Sequence, residues 1–235
     1  ILKEQQAGRD DRFFAQLDRI EQMLRDSETP GPPPAPLDRG GAALRPEHFT
    51  GRDAELQEIL DHLEPGRVVS LVGPGGIGKT ALAVETAWRL APGNQPPDDF
   101  PDGIVFHSFY NQPDVNRAAA HFVRSFVPGA DDTSLDAMRR ILARRQAFLI
   151  FDGTEDIEDP QDLHELLQRT GSCGVLLTTR NRRAAPGHQI DVIPLEETKA
   201  VDLLRSSGGD PLTDPDLEPT LTEMARLLGR LPLAL

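Results

Sequence analysis

The residues that most constrain the fold are GPGGIGKT at 73–80, which lie between an apolar run at 67–72 and a helical pattern at 79–90. The glycines allow backbone N–H groups to turn toward an anion without a Cβ in the way. A helix that starts directly afterwards directs its partly positive N-terminus at the same point. The spacing therefore predicts a phosphate-binding loop between a buried strand and a helix.

Two side chains at the end of this loop are predicted to act on the phosphates. Lys79 supplies a positive charge for the outer phosphates, and the Thr80 hydroxyl is a ligand for Mg²⁺. One of only three lysines in the chain therefore lies in the glycine loop. The other predicted nucleotide contacts of the loop are Gly73, Gly75, Gly76, Ile77, Gly78 and Ala81.

Apolar strands alternate with helical patterns from about residue 49 onward. Such an alternation indicates a parallel sheet covered on both faces, so the predicted class is an α/β fold of the P-loop NTPase type. The predicted strands are 67–72, 103–109, 147–151, 174–178 and 189–193. The predicted helices among them are 53–63, 79–90, 115–126, 135–144 and 162–168. After Pro194 only helical patterns follow, at 196–204 and 217–228.

Proline and glycine content divides the chain into expected domains. Residues 1–28 contain an amphipathic helix at 11–25, which either packs on its own module or belongs to a partner or an upstream domain. Residues 29–46 are predicted to be a Pro- and Gly-rich linker. The nucleotide-binding domain is expected at 47–194, and 195–235 is expected to begin a helical domain. Because the first residue is Ile1, we expect a longer protein.

The composition argues against several classes of function. A net charge of −13 argues against binding of a nucleic-acid backbone by this segment. No run approaches the roughly 18 apolar residues that a membrane helix needs, and no signal peptide is visible. The single cysteine, Cys173, excludes an internal disulfide and fits a reducing compartment, so a cytoplasmic location is predicted.

An acidic residue, Asp152, directly follows the apolar strand FLIF at 148–151. An aspartate at the end of a strand near a phosphate loop is the expected partner of Mg²⁺ and its waters. Hydrolysis also requires a group that orients or deprotonates water. Gly153 has no side chain for this task, so Glu155 and Asp156 are the candidates. The alternative is that both are solvated turn carboxylates and that turnover is slow.

A further apolar strand, VLLTTR at 175–180, ends in an arginine. Parallel strands end at the same edge of a sheet, and this edge is where ligands bind. Arg180 is therefore predicted to direct its guanidinium at a γ-phosphate. The alternative is an exposed arginine at a strand end without a ligand.

Three more segments point to a family: FTGRDAEL at 49–56, IPLEETKAVDLL at 193–204 and GRLPLAL at 229–235. Together with the loop, the acidic strand and LLTTR, they resemble the NB-ARC nucleotide-binding module of the STAND class of P-loop NTPases. The resemblance covers about residues 48–235. That family includes plant disease-resistance receptors, the apoptotic protease-activating factor and many bacterial regulators and defence proteins.

The resemblance implies a fold and a ligand. The sheet would have five parallel strands, with the LLTTR strand between the loop strand and the acidic strand. The nucleotide would be ATP or ADP. Phe49 and Thr50 would offer backbone contacts to the base, and Pro232 would pack on the adenine from the helical domain. The GRxxE-type motif of Gly51, Arg52 and Glu55 would close over the adenine side.

Two positions depart from the family pattern. Arg230 stands where the family often has a small residue, and Gly153 stands where the acidic strand commonly ends in a second acid. The second departure puts efficient hydrolysis in doubt and fits a slow switch.

By resemblance, the chain is expected to act as a nucleotide-dependent switch. Exchange of ADP for ATP would control self-association of the module and activation of an attached effector in signalling or bacterial defence. The effector domain is expected upstream and a sensor domain downstream of this segment. The alternatives are the switch of a bacterial transcription regulator and a continuously cycling AAA-type ATPase.

Overall fold

The structure, a computed structural model, describes residues 35–40, 45–110, 112–208 and 214–233. All of them belong to one compact unit that begins at Ala35. The helix predicted at 11–25 lies outside the described residues, so that prediction stays a prediction.

A five-stranded sheet forms the centre of the described part, with every strand parallel to its neighbours. The spatial order is β2-β3-β4-β1-β5, which confirms the α/β fold and places the LLTTR strand between the loop strand and the acidic strand. The strands are β1 Val68–Val72, β2 Ile104–Ser108, β3 Phe148–Asp152, β4 Gly174–Thr179 and β5 His188–Asp191.

Seven α-helices connect or follow the strands in the described residues. They are α1 Asp53–His62, α2 Lys79–Leu90, α3 Val115–Phe126, α4 Leu135–Leu142, α5 Pro160–Leu167, α6 Glu197–Gly208 and α7 Glu218–Leu227. Short 3-10 turns at Thr154–Asp156, Arg182–Ala184 and Pro215–Leu217 were not predicted from the sequence.

Local capping explains where several helices begin. The side chains of Asp114, Ser134 and Asp159 each accept a hydrogen bond from the backbone N–H of the first helical turn. Pro160 occupies the first position of α5, where its missing N–H costs nothing. This is why α5 starts at Pro160, two residues before its predicted start.

Alternate residues of the central strands enter two separate cores. On β3, Leu149 and Phe151 pack with one cluster, whereas Phe148 and Ile150 pack with the other. The first cluster is completed by α3, α4 and α5, and the second by α1 and α2. Because a strand presents successive side chains to opposite faces, the sheet is covered on both sides, as the continuous apolar strands predicted.

Residues 35–40 and 45–50, which we call the strap, lie on this domain although most of them fall in the predicted linker. The strap pairs with the edge of the sheet at β2. The N–H of Ile104 donates to the Pro36 carbonyl at 2.7 Å, and the N–H of Asp38 donates to the Ile104 carbonyl at 2.9 Å. Gly103, at a φ of 100°, permits this approach because a Cβ there would lie 2.1 Å from the Pro36 oxygen.

The strap also packs on α2 through two arginines. The guanidinium groups of Arg39 and Arg45 lie 4.2 and 4.7 Å from the centre of the Trp88 ring. Arg39 donates to the Gly93 carbonyl at 2.8 Å, and Arg45 pairs with Glu85 at 3.2 Å. The strap is therefore fixed to the same helix that begins at the glycine loop.

Helices α6 and α7 form a third, smaller core around Leu203 and Leu221. The segment after α7 is joined to the segment between β5 and α6 by a hydrogen bond of 3.1 Å from the Leu195 N–H to the Arg230 carbonyl. Among the described residues, no helix is both long and apolar enough to cross a membrane.

Candidate functional site

A cavity of about 560 Å³ lies at the carboxyl edge of the sheet, where β1, β3 and β4 end. This volume falls in the usual range of small-molecule sites. One end of the cavity, which we call the loop end, is formed by Asp152, Glu155, Arg180 and five residues of the glycine loop, namely Gly75, Gly76, Gly78, Lys79 and Thr80. The other end, which we call the cover end, is formed by 46–50, Arg52, Leu195, two residues of α6 and 232–233.

The glycine loop has the backbone that its sequence predicts. Gly76 and Gly78 have φ values of 75° and 100°, a region that residues with a Cβ rarely adopt. Gly78 is the N-cap of α2, so the helix starts directly at the loop. The Lys79 ammonium donates to the carbonyls of Gly73 and Pro74 at 2.9 and 3.0 Å, and these bonds hold the lysine across the loop.

Lys79 lies in an unusual electrostatic environment. It is only 8 % exposed, and burial lowers the pKa of its ammonium below the ordinary value. Glu155 raises that pKa, Arg180 lowers it, and Asp152 raises it. The nearby carboxylates and the two carbonyl acceptors hold the buried ammonium in place. An anion bound beside it would therefore form a strong, charge-assisted hydrogen bond.

Asp152 collects hydroxyl groups from three other elements. Its Oδ1 accepts from the hydroxyls of Thr80 at 2.7 Å and Thr178 at 2.8 Å, and its Oδ2 accepts from Ser108 at 3.2 Å. Thr178 in turn accepts from the Gly153 N–H at 2.8 Å. The carboxylate is buried and held in one orientation next to the start of α2.

The residues at this point fit a magnesium ion. Hydroxyl and carboxylate oxygens are its preferred ligands, and the two oxygens of Thr80 and Asp152 are adjacent. Within the described residues no group of three or more acidic, histidine or cysteine side chains is placed to hold a metal. Such a site fits Mg²⁺ of the kind that completes its shell with substrate phosphates and water.

Arg180 follows β4 and pairs with Glu155. Its Nε lies 2.8 Å from Glu155 Oε1, and its backbone N–H donates to Glu155 Oε2 at 3.2 Å. The guanidinium also covers Gly75, where a Cβ would lie 3.3 Å from the guanidinium carbon. The arginine is therefore placed between the glycine loop and the turn after β3.

Arg52 connects the cover end to the glycine loop. Its guanidinium donates to Glu55 at 2.6 Å and to the Ile77 carbonyl at 3.0 Å, and the residue is 4 % exposed. Phe49 and Thr50, just before it, line the cavity. Arg52, two residues after the strap, thus ties this part of the chain to the loop.

The last described residues lie over the glycine loop. Pro232 is 3.6 Å from the position of a Cβ on Gly78. The Leu233 N–H donates to the Gly76 carbonyl at 3.2 Å. Arg230 reaches this arrangement with a φ of 54°, a left-handed conformation that is uncommon outside glycine.

The structure brings nearly all predicted site residues to this one cavity. Those that line it are Phe49, Thr50, Arg52, Gly75, Gly76, Gly78, Lys79, Thr80, Ala81, Asp152, Glu155, Arg180 and Pro232. Gly73 and Ile77 do not line it; they contribute carbonyl acceptors to Lys79 and Arg52. Asp156, the second candidate for water activation, does not line it either.

Several lining residues were not predicted. Tyr110 follows β2, and the rule that parallel strands end at one edge could have indicated it. Leu195, Leu203, Ser207 and Leu233 come from the helical part. Three of them lie in the family-like segments 193–204 and 229–235, but those segments did not indicate which leucines would line a cavity. The remaining unpredicted residues are Pro46, Glu47, His48 and Gly153.

The sheet order, the glycine loop and the acidic strand end together define a P-loop NTPase domain. The family model of the NACHT domain matches residues 67–205, which is more than half of the chain. The chain therefore belongs to the NACHT family, within the STAND class of P-loop NTPases. Nucleotide binding follows from that membership at the level of the family.

Curated relatives are similar at about one quarter identity. A nucleotide-binding leucine-rich repeat (NLR)-like protein of Hyaloscypha variabilis is 27 % identical over 80 % of this chain and 21 % of its own length. The regulatory protein AfsR of Streptomyces coelicolor is 27 % identical over 83 % of this chain and 22 % of its own length. The disease resistance protein RPP2A of Arabidopsis thaliana is 26 % identical over 80 % of this chain and 15 % of its own length. The chain spans only about a fifth of these relatives or less.

Solved structures share the fold at low sequence identity. A Walker-type ATPase of Pyrococcus abyssi has a TM-score of 0.55 at 12 % identity, covering 81 % of this chain and 67 % of its own. The ORC2 protein of Aeropyrum pernix, solved as ADPNP–ADP complexes, has a TM-score of 0.53 at 17 % identity, and the match covers 82 % of this chain and 67 % of that protein. Drosophila ORC bound to DNA has a TM-score of 0.58 at 15 % identity, and the match covers 83 % of this chain and 56 % of that chain.

Proposed function

We propose that this chain is the ATP- and ADP-binding switch module of a larger NACHT protein. In this role it controls self-association of the protein and activation of an attached effector domain. The observation that carries the proposal is the cavity itself. Its loop end holds Lys79, Asp152 and Arg180, and its cover end is closed by the strap and by Pro232 from the helical part. A nucleotide bound there touches both parts of the module.

The switch depends on contacts that only one nucleotide makes. ADP contacts Lys79 and the glycine loop and holds the cover end against the loop end. The third phosphate of ATP adds contacts with Lys79 and Arg180. A shift of populations from 1:99 to 99:1 requires about 5.5 kcal/mol of differential affinity. Charged hydrogen bonds contribute roughly 1.5–3 kcal/mol each, so two or three of them supply this amount.

We place Mg²⁺ at the same site, where Thr80 would bind the ion directly and Asp152 would bind the ion or the water molecules around it. The ion supplies positive charge to the phosphate oxygens. Asp152 fixes the Thr80 hydroxyl at 2.7 Å, and Thr178 and Ser108 fix Asp152. These residues keep the pair in place whichever nucleotide is bound.

We expect hydrolysis of ATP to be slow. Gly153, at the second acidic position of many relatives by the family pattern, has no side chain. Both carboxylate oxygens of Glu155 are engaged by Arg180, because Oε1 pairs with the guanidinium and Oε2 accepts a hydrogen bond from the backbone N–H. A steady turnover well above about 1 s⁻¹, the lower end of ordinary enzyme rates, would favour a continuously cycling ATPase over a switch.

Preference for adenine rests on the NB-ARC-like segments outside the matched NACHT region. These segments, FTGRDAEL at 49–56 and GRLPLAL at 229–235, contribute Phe49, Thr50, Arg52, Pro232 and Leu233 to the cover end of the cavity. We assign 47–194 to the nucleotide-binding domain and 195–235 to the start of an ARC-type helical domain. The buried free thiol of Cys173 supports a cytoplasmic location.

The output of the switch is proposed from the relatives. Two of them are named as NLR-like and disease-resistance proteins, which supports a role in defence signalling through an effector upstream and a sensor downstream. The similarity to the regulatory protein AfsR supports a second candidate, the switch of a transcription regulator. The identity of the upstream domain in the full protein separates the two.

The first experiment identifies the nucleotide that the chain retains. We would purify it without added nucleotide, denature it and analyse the released compounds by chromatography, with Lys79→Ala as the matched control. We expect ADP close to one per chain from the natural sequence and none from the variant. Release of a guanine nucleotide, or no binding of ADP or ATP on titration, would contradict the proposal.

A further inference from the structure

Glu155 holds the arginine that is predicted to sense the third phosphate. It contacts Arg180 at two points, the side-chain Nε at 2.8 Å and the backbone N–H at 3.2 Å. The Glu155 side chain is 16 % exposed, whereas that of Arg180 is 54 % exposed. The carboxylate is thus the better-buried member of the pair, and both residues line the cavity.

The turn after β3 fixes Glu155 in this position. Gly153 adopts a left-handed φ of 72°, and the 3-10 turn Thr154–Asp156 follows at once. Within this turn the Thr154 hydroxyl donates to the Thr178 carbonyl of β4 at 3.0 Å. The backbone beside Glu155 is therefore tied to the strand that ends at Arg180, so the pairing does not depend on a free surface side chain.

We infer that Glu155 determines specificity: it competes with the third phosphate of a nucleoside triphosphate for Arg180 and so sets the affinity ratio of triphosphate to diphosphate. This inference rests on the proposed function, because it takes the cavity to be the nucleotide site. It assigns Glu155 a role opposed to triphosphate binding, in place of the predicted activation of water.

Charge explains why only the triphosphate is affected. Arg180 covers the glycine loop at Gly75. A triphosphate brings one more anionic group to this loop than a diphosphate does. With Glu155 ionised, two negative groups share one guanidinium, and the low exposure of the carboxylate limits screening of their repulsion by water. A diphosphate lacks that group, so the Glu155–Arg180 pair persists when it binds. The pair thereby favours the diphosphate state.

The test measures affinities of Glu155→Gln for ADP and for the non-hydrolysable triphosphate ADPNP by titration calorimetry, with Mg²⁺ present. Glutamine keeps the shape of the side chain and removes its charge. We expect affinity for ADPNP to rise about 10-fold and affinity for ADP to change less than about 2-fold. In the double variant with Arg180→Ala the gain should disappear. Glu165→Gln, which breaks a surface pair with Arg169, is the matched control and should change neither affinity.

Three results would overturn the inference. An unchanged affinity ratio in both Glu155→Gln and Glu155→Ala would show that the carboxylate does not compete. Unchanged affinities with a large loss of ATP turnover would make Glu155 the water-activating group. Failure of the natural sequence to bind either nucleotide would remove the proposed function and this inference with it, and so differs from the first two results.

Discussion

The loop end and the cover end of the cavity are built in different ways. At the loop end, consecutive residues and the ends of neighbouring strands supply buried polar groups that bond to one another, with Asp152 accepting from three hydroxyls. At the cover end, segments from opposite ends of the described chain meet. Only a few bonds join them to the loop, notably Arg52 to Ile77 and Leu233 to Gly76.

This difference separates two properties of a nucleotide site. Because the groups of the loop end belong to the sheet and are tied in a network, we propose that this end is the more rigid one and determines which anion binds. The cover end depends on a few contacts between distant segments, so it has the lower local stability of the two. We therefore expect the cover end to move when the nucleotide changes.

The largest predicted effect is at the loop end. Lys79→Ala removes the buried ammonium that we propose binds the outer phosphates, and we expect at least about a 100-fold loss of affinity for ADP and for ATP, about 2.7 kcal/mol. Titration with each nucleotide measures it. Lys199→Ala, at the other lysine of the described part, is the control and should bind normally. Undiminished ADP binding by Lys79→Ala would contradict the assignment of the loop.

A second prediction concerns the bond that joins the two ends. Arg52→Ala leaves the Ile77 carbonyl and Glu55 without their partner, and it should lower the free energy of unfolding by about 2–3 kcal/mol. Urea unfolding measures this. Arg67→Ala, at an exposed pair with Glu64, should cost less than about 0.5 kcal/mol. Equal effects of the two substitutions would mean that Arg52 does not hold the cover end.

The smallest predicted effect tests strain in the cover end. Arg230 has a φ of 54°, so Arg230→Gly should raise the free energy of unfolding by about 1 kcal/mol. Gly229 has a φ of 65° with no atom closer than 3.8 Å to a Cβ, so Gly229→Ala should lower it by a similar amount through backbone strain alone. Thermal melting of both variants checks the opposite signs. A destabilised Arg230→Gly would show that the arginine side chain has a role of its own.

The same division decides what the sequence could predict. The loop end is encoded locally: glycines, a lysine and a threonine in one stretch, and charged residues directly after apolar strands. The cover end depends on contacts between distant segments. Phe49, Thr50, Arg52 and Pro232 were found only through resemblance to a family, and Leu233 was missed.

Pairings between elements were also out of reach of sequence patterns. The contact of Glu155 with Arg180 requires that β3 and β4 be neighbours and that a 3-10 turn follow β3. Prolines and glycines at 29–46 predicted a linker without a regular element. They did not indicate that Pro36 would bond to Ile104, because that contact depends on the space left by Gly103.

The pairing of the strap with β2 has a consequence for solubility. β2 is the last strand on its side of the sheet, and an uncovered edge strand offers free N–H and carbonyl groups to any other extended chain. In this structure the hydrogen bonds of Ile104 with Pro36 and Asp38 occupy the start of that edge. Residues 36–38 therefore shield the start of β2 from intermolecular strand addition. A substitution at Gly103 that expels them would promote aggregation even if the cavity remained intact.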